Sequence, residues 1–135
     1  MTICLSRKHR AQLLQWAEEA GKQECCGLLL GRADTVSALE LAKNVAVNAT
    51  RHFEIDPAVL ITKHKQAREG GLAVLGCFHS HPNGLARPSI TDDRQAAADG
   101  QIWLIIANGE ITAWKARGSG GQATEFVSVT LVVEG

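Results

Sequence analysis

The chain has 135 residues, of which 45% are hydrophobic and 21% charged, which is typical of a single globular domain over residues 1–135. Its 14 basic and 14 acidic residues give a formal net charge of zero, so charge offers no reason to expect nucleic acid or an anionic membrane as a partner. No apolar run of about 18 residues predicts a membrane span, and the charged, then amphipathic start is unlike a secretory signal.

The first predicted elements are a helix and a buried strand. Ser6 is a good N-cap, apolar residues follow at helical spacing, and Gly21 is a suitable residue to end the helix. A helix is therefore predicted over Arg7–Ala20. The apolar run Cys25–Gly31, which polar residues precede, is typical of a central strand.

The middle of the chain predicts two further extended segments, a helix and a strand. Asp56 and Pro57 have the residue types of an N-cap and a first helical position, and Gly70-Gly71 ends the helix that they open. The extended segments are Thr35–Val47 and the short Phe53–Ile55, and the strand after the helix is Leu72–Ser80.

The last third predicts a third helix, a hairpin and a final strand. Ser89 and Asp92 have the spacing of a capping box, so this helix is expected to run to about Ala98. Asn108-Gly109 is a strong two-residue turn signal. The hairpin strands are Ile102–Ala107 and Glu110–Ala116, and after a glycine-rich, flexible Arg117–Gln122 comes the strand Ala123–Val133.

These elements predict a mixed α/β fold, an α+β sandwich, instead of a doubly wound sheet. The sheet is expected to be curved and mostly antiparallel, with about three helices against it. The sequence has no internal repeat and no linker long enough to divide it.

A candidate metal site begins where the strand Leu72–Ser80 ends. His79 and His81 are two residues apart, so their side chains lie on the same face of an extended chain. The following loop contains two prolines and a glycine and leads to Ser89 and Asp92. Two imidazoles and a carboxylate suit zinc, with one position left for water.

Hydrolysis at such a site also needs a proton carrier and a donor to the developing oxyanion. Glu24, which precedes the strand Cys25–Gly31, is the best candidate for the carrier, and the Ser89 hydroxyl is the candidate donor. Plainer interpretations stay open for each residue. Ser89 and Asp92 also suit helix capping, Glu24 also suits a solvated strand end, and a lone pair of histidines is usually a surface feature.

The four cysteines, Cys4, Cys25, Cys26 and Cys77, are interpreted as reduced thiols, which favours a cytoplasmic location. No CxxC pair supports a thiolate zinc site. Cys77 is expected to point away from the histidine face into the core. Alternation brings one of Cys25 and Cys26 towards the metal pocket.

The sequence resembles the JAMM (MPN-plus) metalloprotease family at Glu24, at His79-Ser80-His81-Pro82 and at Ser89 and Asp92. Seven residues separate His81 from Ser89, and two separate Ser89 from Asp92, as in that family's pattern. The resemblance implies one Zn²⁺ per chain bound by His79, His81 and Asp92. It also implies Glu24 as acid and base, Ser89 polarising the substrate carbonyl, and a cytidine-deaminase-like JAMM/MPN architecture.

The same resemblance implies a peptidase or isopeptidase that cuts after the C-terminal tail of a ubiquitin-like or sulfur-carrier protein. Short bacterial members resemble enzymes that trim residues beyond a terminal Gly-Gly or release cysteine from the carrier. A non-catalytic MPN-type scaffold and a RadC-like protein are the alternatives, and a homodimer stays open. Gly118–Gly121 is a candidate flap over the tail.

Overall fold

The computed structural model describes residues 1–82, 84–89, 100–119 and 122–135. Within these ranges it has two helices and seven strands. They are β1 (Thr2–Ser6), α1 (Arg7–Ala20), β2 (Cys26–Arg32), β3 (Thr35–Ala42), α2 (Pro57–Arg68), β4 (Ala73–Ser80), β5 (Ile102–Ala107), β6 (Glu110–Ser119) and β7 (Gln122–Glu134). Neither helix in the described part of the chain has the length and apolar character that crossing a membrane requires.

The sheet is mixed and closes on itself in the order β1-β3-β2-β4-β5-β6-β7. Four neighbouring pairs are antiparallel, whereas β1–β3, β1–β7 and β4–β5 are parallel. This confirms a mixed, mostly antiparallel sheet. The structure adds the closure, which depends on a single paired position between β1 and β3, Cys4 opposite Thr35.

One helix packs against each face of the sheet. On one side the fully buried Leu13 of α1 joins Leu29, Phe78 and Leu104 of the central strands. On the other side α2 lies against a second cluster that contains Leu28 and Trp103. Because side chains alternate along a strand, each central strand contributes to both clusters, and the helix–sheet–helix layering follows.

Both described helices begin as predicted. The Ser6 hydroxyl accepts the backbone N–H of His9 at 3.0 Å, and the Asp56 carboxylate accepts that of Ala58 at 3.0 Å. Gly21 ends α1 with a φ of 60°, a conformation that glycine adopts at little cost.

Several boundaries differ from the sequence prediction. The segment predicted over Thr35–Val47 ends as a strand at Ala42, and Phe53–Ile55 forms only an isolated bridge between Ile55 and Asn44. The segment Arg117–Gln122, predicted as flexible, has strand residues at both ends, since β6 continues to Ser119 and β7 begins at Gln122. The predicted third helix lies almost entirely outside the described residues.

The hairpin turn was predicted correctly, whereas the close packing at Gly76 was not predicted. The hairpin turns at Asn108 and Gly109 with φ angles of 51° and 74°, as a type I′ turn requires. Gly76 faces the Ile102 backbone so closely that a Cβ atom at residue 76 would overlap the Ile102 carbonyl oxygen. The absence of a side chain there lets β4 and β5 approach beside the site.

Candidate functional site

The site forms where β2 begins and β4 ends. In the antiparallel ladder Cys26 lies opposite His79. Beyond that pair the Ser80 N–H donates to the Cys25 carbonyl at 3.0 Å, and the Cys25 N–H donates to the Ser80 hydroxyl at 2.8 Å. These bonds extend the pairing by one residue, so Glu24 comes to lie beside the histidines.

The two histidines converge as their spacing predicts. Their Nε2 atoms are 2.9 Å apart, and His79 has no exposed surface. The His81 backbone N–H donates to the Ile106 carbonyl of β5 at 2.8 Å. His81 Nδ1 lies 2.8 Å from the Leu85 carbonyl oxygen, which can only accept, so Nδ1 carries the proton. In the neutral ring Nε2 is then left as an electron-pair donor.

Glu24 completes a buried group of three potential ligands. Its carboxylate and one ring nitrogen from each of His79 and His81 all lie within 4.8 Å of one another. The Glu24 side chain is only 6% exposed. A buried carboxylate between two imidazoles is not a solvated strand end, so the plain interpretation of Glu24 does not fit its position.

The donor set fits a zinc ion. Two ring nitrogens in a tetrahedral zinc site, each about 2.0–2.1 Å from the metal, lie about 3.3 Å apart. The Nε2 atoms at 2.9 Å need to separate by only a few tenths of an ångström to reach this spacing. Asp92, the predicted third protein ligand, lies outside the described residues.

Two aromatic rings hold His79 in place. Phe53 stacks on the imidazole with ring centroids 4.3 Å apart and planes at 16°, and Trp103 meets it edge-on at 5.5 Å. Rings packed in this way restrict the imidazole to one orientation. The sequence predicts Phe53 only as part of a short extended segment, and nothing in that pattern indicates its contact with His79.

Cys77 shares this face, so the expectation that it points away from the histidines is wrong. It lies two residues before His79, and strand side chains two residues apart lie on the same side. Cys77 packs against the cluster that contains Phe53 and Trp103. It is therefore a packing residue, as expected, but on the His79 side of the sheet.

Asn44 organises the segment between β3 and α2. Its Nδ2 donates to the carbonyl oxygens of Glu24 and His52, both at 2.9 Å. Its Oδ1 accepts the backbone N–H groups of Ala46 at 3.0 Å and Glu54 at 3.1 Å. One amide side chain thus links the Glu24 backbone to the segment that carries Phe53. Sequence reasoning missed this role, although a lone asparagine after a strand is a common signal for such turns.

A cavity of about 480 Å³ opens onto Glu24 and His81. Ser89 lines the same cavity, so the structure brings it to the site together with Glu24. The loop that carries Ser89 is anchored to the hairpin, because the Thr112 hydroxyl donates to the Ala86 carbonyl oxygen. The metal-binding roles of His79 and His81 and the catalytic roles of Glu24 and Ser89 stay predictions.

The neighbouring cysteines do not supply reactive thiolates. Burial raises the pKa of Cys25, and it raises that of Cys26 to about 12. All four cysteines are free thiols. Cys26 instead places its Sγ 3.8 Å from the Ala42 carbonyl oxygen. Both site cysteines therefore act as small buried residues near neutral pH.

Among known protein families, the chain matches the prokaryotic homologues of the JAB domain over residues 6–117. The chain is 30% identical to a desampylase from Haloferax volcanii over an alignment of 139 positions, gaps included, which covers 98% of this chain and 96% of the relative. It is 34% identical over 92 residues to a probable TtuB-protein conjugate cleaving protease from Thermus thermophilus, covering 68% of this chain and 59% of that protein.

Solved structures share the fold. A protein from Desulfitobacterium hafniense is 29% identical and superposes with a TM-score of 0.81, covering 99% of this chain and 93% of that one. A JAB1/MPN domain protein from Archaeoglobus fulgidus is 20% identical with a TM-score of 0.59, covering 97% and 98%. A protein described by its JAMM metalloprotease-like zinc site in the proteasome and signalosome is 19% identical. It superposes with a TM-score of 0.55, covering 98% of this chain and 99% of that one.

Proposed function

Since the chain belongs to the family of prokaryotic homologues of the JAB domain, which confirms the JAMM (MPN-plus) resemblance, we propose that it is a zinc-dependent peptidase or isopeptidase. Its substrate is the C-terminal tail of a ubiquitin-like or sulfur-carrier protein, and it hydrolyses the amide bond that follows this tail. The observation that carries the proposal is the convergence of buried Glu24, His79 and His81 beside an open cavity. The desampylase and the conjugate cleaving protease among the relatives support the substrate class.

His79 and His81 would hold the metal, with Asp92 as the predicted third ligand. A bound zinc ion lowers the pKa of a water molecule to about 7 and polarises a carbonyl group. The Leu85 carbonyl and the Phe53 ring keep the two imidazoles oriented for binding. Both contacts come from outside the ladder of β2 and β4, so loop structure takes part in preparing the site.

Glu24 is the proton carrier in this mechanism. Its carboxylate takes a proton from the attacking water and passes it to the amine that leaves when the amide bond breaks. Because Glu24 is almost fully buried, few water molecules compete for its charge. The Ser89 hydroxyl, on the same cavity, donates a hydrogen bond to the carbonyl oxygen of the bond being cut.

The test is incubation of the purified protein with carrier proteins extended beyond Gly-Gly, followed by intact mass measurement and metal analysis. We expect about one zinc ion per chain and loss of the extension. Glu24→Gln should retain zinc and fold and lose on the order of 100-fold in turnover. Glu54→Gln, the same change at an exposed glutamate, is the matched control.

Turnover close to wild type in Glu24→Gln would contradict the assignment of the proton carrier. A protein that binds no metal and cuts no carrier would instead favour an MPN-type scaffold. The four free thiols support a reducing compartment, and we include a cytoplasmic location in the proposal.

A further inference from the structure

Two arginines lie on the wall of the cavity that contains the site. Arg51 comes from the segment before α2 and Arg87 from the loop after β4, and both line the cavity together with Glu24, His81 and Ser89. Glu24 is the only acidic residue among the described residues of this wall. The ion pairs found among the described residues, Lys63–Glu40 and Arg117–Glu125, involve neither Arg51 nor Arg87.

Both arginines extend from ordered turns. The backbone N–H of Arg51 donates to the Asn48 carbonyl oxygen at 3.2 Å, and the backbone N–H of Arg87 donates to the Leu85 carbonyl oxygen at 2.8 Å. The Leu85 carbonyl oxygen also receives the His81 Nδ1 proton. The backbone of Arg87 is thus connected to a predicted metal ligand through one shared acceptor. The backbone of each arginine is therefore held beside the cavity, so binding a ligand orders mainly the side chain.

Guanidinium groups bind carboxylates through paired, charge-assisted hydrogen bonds. A carboxylate that enters this cavity meets repulsion from the Glu24 charge, and two guanidinium groups on the same wall offset it. We propose that Arg51 and Arg87 bind the α-carboxylate of the single residue that leaves when a one-residue extension is cut from the tail. This inference rests on the proposed function and adds a preference to it. Linear extensions that end in a free carboxylate are better substrates than tails joined to a lysine side chain within a protein.

The α-carboxylate is favoured over an acidic side chain because its position is constant. In a one-residue extension it is separated from the cleaved nitrogen by a single Cα, whatever the side chain. An acidic side chain occurs only in some extensions, and its carboxylate reaches different distances in Asp and Glu. A fixed pair of arginines therefore suits the group that every such substrate has.

The experiment compares three tail peptides that differ only at the end. One ends in Gly-Gly-Ala with a free carboxylate, one in Gly-Gly-Ala amide and one in Gly-Gly-Glu amide. For the wild-type protein we expect kcat/KM to be about tenfold higher for the free acid than for the Ala amide, mainly through KM, as charge-assisted hydrogen bonds of partly exposed groups allow. The Glu amide should behave like the Ala amide.

The acid-to-amide ratio should fall to near one in the double variant Arg51→Gln/Arg87→Gln. It should be retained in Arg68→Gln, the same change at the end of α2, away from the cavity. Equal use of acid and Ala amide by the wild type would overturn the proposal, and so would an unchanged ratio in the double variant. A Glu amide used as well as the free acid would also overturn it, in favour of side-chain recognition.

Binding separates this inference from the proposed function. Calorimetry with the Glu24→Gln protein measures peptide affinity with little turnover, and the acid should bind about tenfold more tightly than the Ala amide. If the wild type cuts none of these peptides and no extended carrier, the proposed function fails, and the affinity ratio still decides the role of the arginines. A ratio near one refutes that role even in a protein that cuts its carrier.

Discussion

Asn44→Asp is the sharpest test of how the loop before α2 supports the site. The change preserves the shape of the side chain and both bonds that Oδ1 accepts, but it replaces the Nδ2 donor with an oxygen. A long bond to the Ala49 carbonyl oxygen at 3.5 Å is lost, and so are two shorter bonds, each 2.9 Å long, to the carbonyl oxygens of Glu24 and His52. These oxygens would then face a carboxylate, which none of them can satisfy.

The expected loss follows from these contacts. The two shorter hydrogen bonds at about 1 kcal/mol each give a loss of about 2 kcal/mol, before any repulsion is added. With an unfolding entropy of about 2.1 cal/mol/K per residue, a chain of this length loses about 7 °C in Tm. Because Asn44 links the Glu24 backbone to the segment of Phe53, kcat should also fall by about tenfold or more through misplacement of the reacting groups.

Thermal unfolding and carrier cleavage measure the two effects. Asn48→Asp is the matched control, since it adds the same charge in the same segment and its exposed side chain only accepts a bond, from the Thr50 hydroxyl at 2.8 Å. A carboxylate can accept that bond equally well. If Asn44→Asp and Asn48→Asp have the same Tm and the same kcat, the role assigned to Asn44 is wrong.

Three further outcomes are expected. Ser80→Ala leaves the buried Cys25 N–H without its 2.8 Å acceptor, so it should cost about 1–3 kcal/mol in urea unfolding, whereas Ser80→Thr should retain most of the stability; equal stabilities would count against this bond. The pKa of Cys26 is raised from 9.0 to about 12, so the unfolded chain loses this proton first and stability falls as pH rises above 9. Between pH 8 and pH 10 the metal-free wild type should lose about 1.4 kcal/mol more than Cys26→Ala, and parallel pH curves would exclude the effect. A chelator should abolish carrier cleavage and added Zn²⁺ should restore it, whereas cleavage that persists after the metal has been removed would argue against a metal-dependent reaction.

The shared face of His79 and His81 could be predicted because it depends on strand alternation. Glu24 was predicted from the residue pattern, and the antiparallel pairing of β2 with β4 that brings it alongside is a finding of the structure. The seven residues between His81 and Ser89 match the family pattern and marked Ser89 as a candidate site residue. The structure places Ser89 on the wall of the cavity. Strand alternation and fixed spacing between residues can both be read from the sequence, so these site residues could be identified without coordinates.

The supports of the site could not be predicted in the same way. Asn44 and Phe53 act through an irregular segment in which neither residue follows a period. Leu85 contributes a backbone carbonyl, which any residue type provides. β1 also escaped prediction, since Thr2–Ser6 is short and pairs in parallel with β7 at the other end of the chain. Pairing over such a distance leaves no local pattern.

The parallel pairing of β4 with β5 has a consequence for the length of the chain between them. Parallel neighbours cannot be joined by a tight turn, so the chain must return along the sheet over about a dozen residues or more. The connection between β4 and β5 comprises residues 81–101, and His81, Arg87 and Ser89 belong to its described part. The sheet sets a minimum length for the connection but no maximum. The spacing of His81, Ser89 and Asp92 along the connection limits where it can lengthen, whereas β2 and β4 keep Glu24 and His79 in register whatever its length.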